Sequence, residues 1–163
     1  MIAVPHRRQE GFTLLELVVA VLLIALAVAV SYPSLTRGSA ALQLRANGRD
    51  VLNILRYARE KAITEQKEMQ VACDPTTHRI VLSDVAGEDA RARDLPEGVK
   101  LTRLVLAGEE IREGPLVIRF LPNGSSQNAE LTLTSKTGAS LRIVTDPVTG
   151  GARVVSGSGE HVP

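Results

Sequence analysis

One cysteine, no tryptophan and four other aromatic residues among 163 positions leave this sequence short of several kinds of chemistry. Cys73 alone cannot form an intrachain disulfide framework or a cysteine-rich metal site. Phe12, Tyr32, Tyr57 and Phe120 are too few for a base-stacking surface. An excess of one charge is also missing: nineteen basic and eighteen acidic side chains give a net +1. Bulk electrostatics offer little hold on a polyanion, so nucleic acid is not an expected partner. No Walker loop or dinucleotide fingerprint is present, and three scattered histidines do not make a zinc site. No catalytic group, metal or cofactor is expected. At roughly 100–200 residues per domain, the length holds one globular unit with room for an appendage.

What the sequence does have is one long apolar run. Residues 17–30 are fourteen apolar side chains without a break. With Phe12, Leu14 and Leu15 in front, the run covers 12–30 and is interrupted only by Thr13 and Glu16. As a helix it would reach about 28 Å, close to a hydrocarbon core of about 30 Å. Arg7 and Arg8 stand before it, which holds that end in the cytoplasm and sends the rest of the chain across the membrane. A cleaved secretory signal is an alternative, since Ala25-Leu26-Ala27 and Ala27-Val28-Ala29 both pass as cleavage sites. A plain anchor is another, but it has no use for Glu16. A carboxylate inside an apolar span is costly unless it is paired or reaches the interface.

Gly11-Phe12-Thr13-Leu14-Leu15-Glu16-Leu17 resembles the prepilin signature of type IV pilins and type II secretion pseudopilins. The resemblance implies that a prepilin peptidase cuts between Gly11 and Phe12 and methylates the new amine on Phe12. It also implies that Glu16 pairs with the terminal amine of a neighbouring subunit during assembly. Pro33 matches the proline that commonly kinks the long helix of that family. The residue chemistry is compatible: Gly11 leaves the backbone open to a peptidase, and Glu16 lies one helical turn from Phe12. An ammonium partner relieves the cost of a carboxylate in lipid.

Beyond the run, Leu44, Val51, Leu55, Ala58 and Ala62 recur at helical spacing and define one face. Arg45, Arg49, Arg56 and Arg59 read as a solvated face, and Gly38 and Gly48 as places where the helix weakens. After Glu68 the period drops to two. Strands are predicted at 69–73, 79–83, 99–106, 116–121, 130–135, 140–145 and 152–155, with 84–96 as a charged loop. The expected fold is α+β: a long N-terminal helix followed by a pilin-like antiparallel β head of two packed sheets. The expected divisions are a cleaved leader at 1–11, a transmembrane half-helix at 12–32 and a periplasmic half-helix at 33–67. The β head follows at 68–155 and a loose tail at 156–163.

Residues 118–126, with Phe120-Leu121-Pro122-Asn123-Gly124, look like the F-x-P-x-G segment of the GspH/FimT family of minor pilins. Residues 143–151 are similar to that family's terminal strand and Thr-Gly turn. Plain turn chemistry accounts for Pro122-Asn123-Gly124 equally well. Cys73 and His78 invite a nucleophile–base reading, but Cys73 is in phase with Met69 and Val71 and reads as core, while His78 reads as an exposed turn residue. The resemblance implies a non-enzymatic minor pseudopilin of the inner membrane, with its head in the periplasm. Its partners would be other minor and major pseudopilins, the prepilin peptidase and an inner-membrane assembly platform. A FimT-like minor pilin of a type IV pilus is the alternative. DNA-binding members would cluster basic residues near the C-terminus, where this chain has only Arg142 and Arg153.

Overall fold

The computed structural model describes residues 12–155, with the backbone alone for 29–37. The expected leader and tail therefore lie outside the described residues. One α-helix, α1 (Leu14–Glu65), is followed by nine strands. The chain divides into two compact units, Met1–Gly38 and Ser39–Pro163, and α1 contributes to both.

In the first unit every described side chain from Phe12 to Val28 is exposed. The apolar character is all round rather than confined to a stripe, so no single neighbour within the chain could cover it. Pro33 lies within α1, but its side chain, and with it the expected kink, is outside what is described. Among the described residues no helix is long and apolar enough to cross a membrane; the described apolar side chains stop at Val28, short of the expected 12–32.

In the second unit the helix turns amphipathic. Leu44, Val51, Leu55, Ala58 and Ala62 are all buried, as their spacing predicts. Gly48 falls on the same side, and its role is packing rather than flexibility. A Cβ there would come within 2.9 Å of a Leu141 methyl, so the missing side chain lets a strand approach the helix. Gln66 ends the helix in left-handed conformation, its side-chain amide donating to the Ile63 carbonyl at 2.7 Å.

The strands β1 (Met69–Asp74), β2 (Arg79–Asp84), β3 (Arg91–Asp94) and β6 (Leu116–Phe120) form one sheet in the order β3-β2-β1-β6. The strands β4 (Val99–Leu106), β5 (Glu109–Glu110), β7 (Ala129–Ser135), β8 (Ser140–Thr145) and β9 (Ala152–Val155) form a second, in the order β5-β4-β7-β8-β9. All pairings are antiparallel. Register puts Cys73 opposite Ile80 and Leu116, and Val71 opposite Leu82 and Ile118, so alternate residues of three strands share one buried face. In the second sheet Leu101 and Leu104 both point inward because a register shift at Thr102 resets the alternation. The helix face and both sheets join in one apolar cluster.

Two strands are corrections to the sequence reading. β3 lies inside the expected 84–96 loop, and β5 is an added two-residue strand. Both are edge strands whose side chains are all exposed, so neither carries an apolar alternation. Charges at such positions also discourage pairing with other chains.

Gly150 tests how tightly the head is closed. Its φ is +63°, and a Cβ would overlap the Gly124 carbonyl oxygen. Gly138, at φ +83°, has nothing around it. Gly150→Ala is expected to cost about 2 kcal/mol or more and Gly138→Ala about 1 kcal/mol. Urea unfolding of the full chain in detergent measures both; equal losses would contradict this packing.

Candidate functional site

The N-terminal site begins with a helix cap. Thr13 precedes α1, and its Oγ1 accepts the Glu16 N–H at 3.2 Å, while its carbonyl accepts the N–H of Leu17 at 3.2 Å. Thr13-Leu14-Leu15-Glu16 is thus the T-x-x-E pattern of a capping box. Among the described residues only the Thr13 half is formed; no bond returns from the Glu16 carboxylate to the Thr13 N–H. Glu16 sits in the first helical turn, where a negative charge favours the exposed N–H groups. Its side chain is exposed, like that of Phe12 at 81%. The cap presents a carboxylate without a partner among the described residues, at the rim of an entirely apolar surface. Gly11 lies outside the described residues.

The head has a second focus, where the two turns singled out in the sequence come together. Asn123 Oδ1 accepts the N–H of Ser125 at 3.0 Å and its hydroxyl at 2.7 Å. Asp146 Oδ1 accepts the N–H groups of Thr149 at 2.8 Å and Val148 at 2.9 Å. The backbone N–H of Thr149, first among these bonds, holds the Asp146 carboxyl below its ordinary range. Its contribution to stability is present above the carboxyl's unfolded pKa and is lost as pH falls through the lower folded value. Ser126 stitches the two turns, its N–H donating to the Pro147 carbonyl at 3.1 Å and its hydroxyl to the Asp146 carbonyl at 3.1 Å. Arg59 Nε donates from α1 to the Gly124 carbonyl at 3.2 Å. Gly124 and Gly150, both buried with positive φ, make the close approach possible.

The Cys73–His78 pair is not a catalytic arrangement. Cys73 is completely buried, and desolvation pushes its thiol up to about 12, away from a reactive thiolate. His78 departs from its expected exposure: it is half-buried, in left-handed conformation, and its Nδ1 has no partner among the described residues. Among the described residues no group of three or more His, Cys, Asp or Glu could hold a metal. His161 lies outside them.

A single helix running into a two-sheet antiparallel head is a pilin-like architecture. Residues 47–150 match the family described as type II transport protein GspH, and residues 6–32 match the prokaryotic N-terminal methylation motif. The first match covers more than half of the chain, and the chain belongs to the GspH family. A curated relative, the type II secretion system protein H of Xanthomonas campestris pv. campestris, is 28% identical over 92% of this chain and 85% of its own length. Two structures of the minor pseudopilin EpsH from the type 2 secretion system of Vibrio cholerae share the fold. One superposes with a TM-score of 0.59 at 15% identity, over 72% of this chain and 99% of that one. The other gives 0.58 at 17% identity, over 72% and 96%.

Burial makes a direct prediction for Cys73. Its thiol should resist alkylation by iodoacetamide at pH 8 in the folded protein and react fully in about 8 M urea, which unfolds it. Rapid labelling without denaturant would place Cys73 outside the core.

Proposed function

We propose that this chain is a minor pseudopilin subunit of a type II secretion system, working near the tip of a periplasmic pseudopilus that helps folded proteins across the outer membrane. The GspH family match over the helix and head supports this reading, together with the methylation motif at the N-terminus. The observation that carries it is the helix that is apolar on every described side from Phe12 to Val28 and carries one carboxylate in its capped first turn.

Before assembly, residues 12–32 hold the subunit in the inner membrane by a single pass, with the head at 68–155 in the periplasm and Arg7 and Arg8 on the cytoplasmic side. The prepilin peptidase removes 1–11 between Gly11 and Phe12 and methylates the Phe12 amine. The inner-membrane assembly platform then moves the subunit into the filament, and Pro33 bends the helix as it leaves the bilayer. Lipid and neighbouring helices are equivalent burial for the apolar surface, so little hydrophobic free energy opposes the transfer. The Glu16 carboxylate supplies direction: it is costly alone and is relieved by a neighbour's N-terminal ammonium. The subunit itself performs no chemistry. Force comes from partners that bind nucleotide.

A strain lacking the gene and complemented in trans tests this. The wild-type chain should restore export of folded enzymes that otherwise remain in the periplasm. Glu16→Ala should insert and be cleaved normally but restore export about tenfold less, in line with the few kcal/mol attached to an intramembrane carboxylate. Full restoration by Glu16→Ala would remove the charge pair from the mechanism. Normal export without the gene would contradict the proposed function.

A further inference from the structure

Positions 42, 45, 49, 52, 56, 59 and 63 of α1 succeed one another at alternating steps of three and four. That spacing aligns one seam along a helix. The seam reads Leu42, Arg45, Arg49, Leu52, Arg56, Arg59 and Ile63. Arg45, Arg49 and Arg56 are exposed and Arg59 is half-buried. None of the four has a carboxylate partner among the described residues, whereas Arg79, Arg93, Arg103, Arg119 and Arg142 each have one. The seam ends on apolar residues, Leu42 at 68% and Ile63 at 37% exposure. Leu52, at 8%, packs within the head, so the arginines stand along the rim of the buried face.

Charge sharpens the contrast. The chain nets +1 with these four positive charges included, so everything outside the seam nets −3. The four lie within about 21 Å of helix. Arg45 and Arg49, four apart, and Arg56 and Arg59, three apart, repel each other and weaken the helix that carries them. Within the chain the Gly124 carbonyl beside Arg59 and the Glu60 side chain, which lines a groove with Arg56 and Arg59 but forms no ion pair among the described residues, stand against that repulsion.

We propose that this seam docks an acidic helix of another subunit of the same filament, with carboxylates opposite the arginines and apolar residues meeting Leu42 and Ile63. The inference rests on the subunit reading given above. Guanidinium groups suit the role because they grip carboxylates bidentately and desolvate more readily than ammonium groups. A groove of about 400 Å³ opens beside Arg56, Arg59 and Ile63 against Gly150 and Gly151, with Glu60 as its one acidic lining residue, leaving room for an inserted side chain. A second copy of this chain does not fit seam to seam, because both seams carry the same four positive charges.

The mature full-length chain in detergent micelles would be titrated with each of the other major and minor pseudopilins of the same system. At least one subunit with an acidic helical seam should bind, more weakly as salt rises. Arg49→Glu with Arg56→Glu should weaken that binding roughly tenfold or more, and exchanging the partner's seam carboxylates for lysine should restore it. Lys100→Glu with Lys136→Glu, two exposed lysines away from the seam, should change nothing. Circular dichroism checks the fold of the double variant; if it unfolds, Arg49→Gln with Arg56→Gln replaces it. Undiminished binding by the double variant overturns the proposal. So does a loss confined to self-association, to anionic vesicles or to duplex DNA. Export separates the two levels: a double variant that exports normally, in a strain that needs the wild-type chain, overturns the seam alone. A strain that does not need the chain overturns the subunit reading.

Discussion

A helix that is apolar on every side cannot rest in water, and the rest of this protein follows from that constraint. From Phe12 to Val28 no described side chain finds cover within its own chain. The surface must be given to lipid or to other helices, and both accept it on similar terms. The same α1 becomes amphipathic further on, where Leu44, Val51, Leu55, Ala58 and Ala62 enter the core of the head. One continuous element thus serves two burial environments. Under the proposed function it is an anchor or filament strut at one end, and it is a core element of the head at the other.

The head is built to hold that helix. Gly48 lets Leu141 of β8 approach, and Arg59 reaches from the helix to Gly124. Gly124 in turn meets Gly150, so the two turns that bear the family's sequence features are fixed to each other and to α1. The two turn glycines therefore have a packing explanation. The glycines are needed where backbones approach at positive φ, and no ligand or catalytic role has to be invoked for them.

Much of this was legible in the residues. The helix face and the strands β1, β2, β4, β6, β7, β8 and β9 announce themselves through periodicity, because each has one face in the core. β3 and β5 do not, because every side chain on them faces solvent and charged exposed edges look like loops. The register shift at Thr102 is visible only afterwards, in the spacing from Leu101 to Leu104. At the N-terminus the T-x-x-E cap is a local pattern in the residues, and Glu16 stands out as a carboxylate in an apolar run. The tie from Arg59 to Gly124 spans 65 positions and has no local signal. The same holds for the lack of a carboxylate beside the seam arginines, since ion pairing is set by tertiary neighbours and not by spacing.

Under the proposed function the apolar helix is never left in water, before or after assembly. Single cysteines at Leu15, Val19, Leu22 and Ile24 test it, with the native Cys73 silent in the core. A membrane-impermeant maleimide is applied to intact inner-membrane vesicles and to isolated filaments, and labelling is compared with that of an exposed head position. Protection is expected at all four sites in both preparations. Labelling of any of them at the rate of the head control would contradict it.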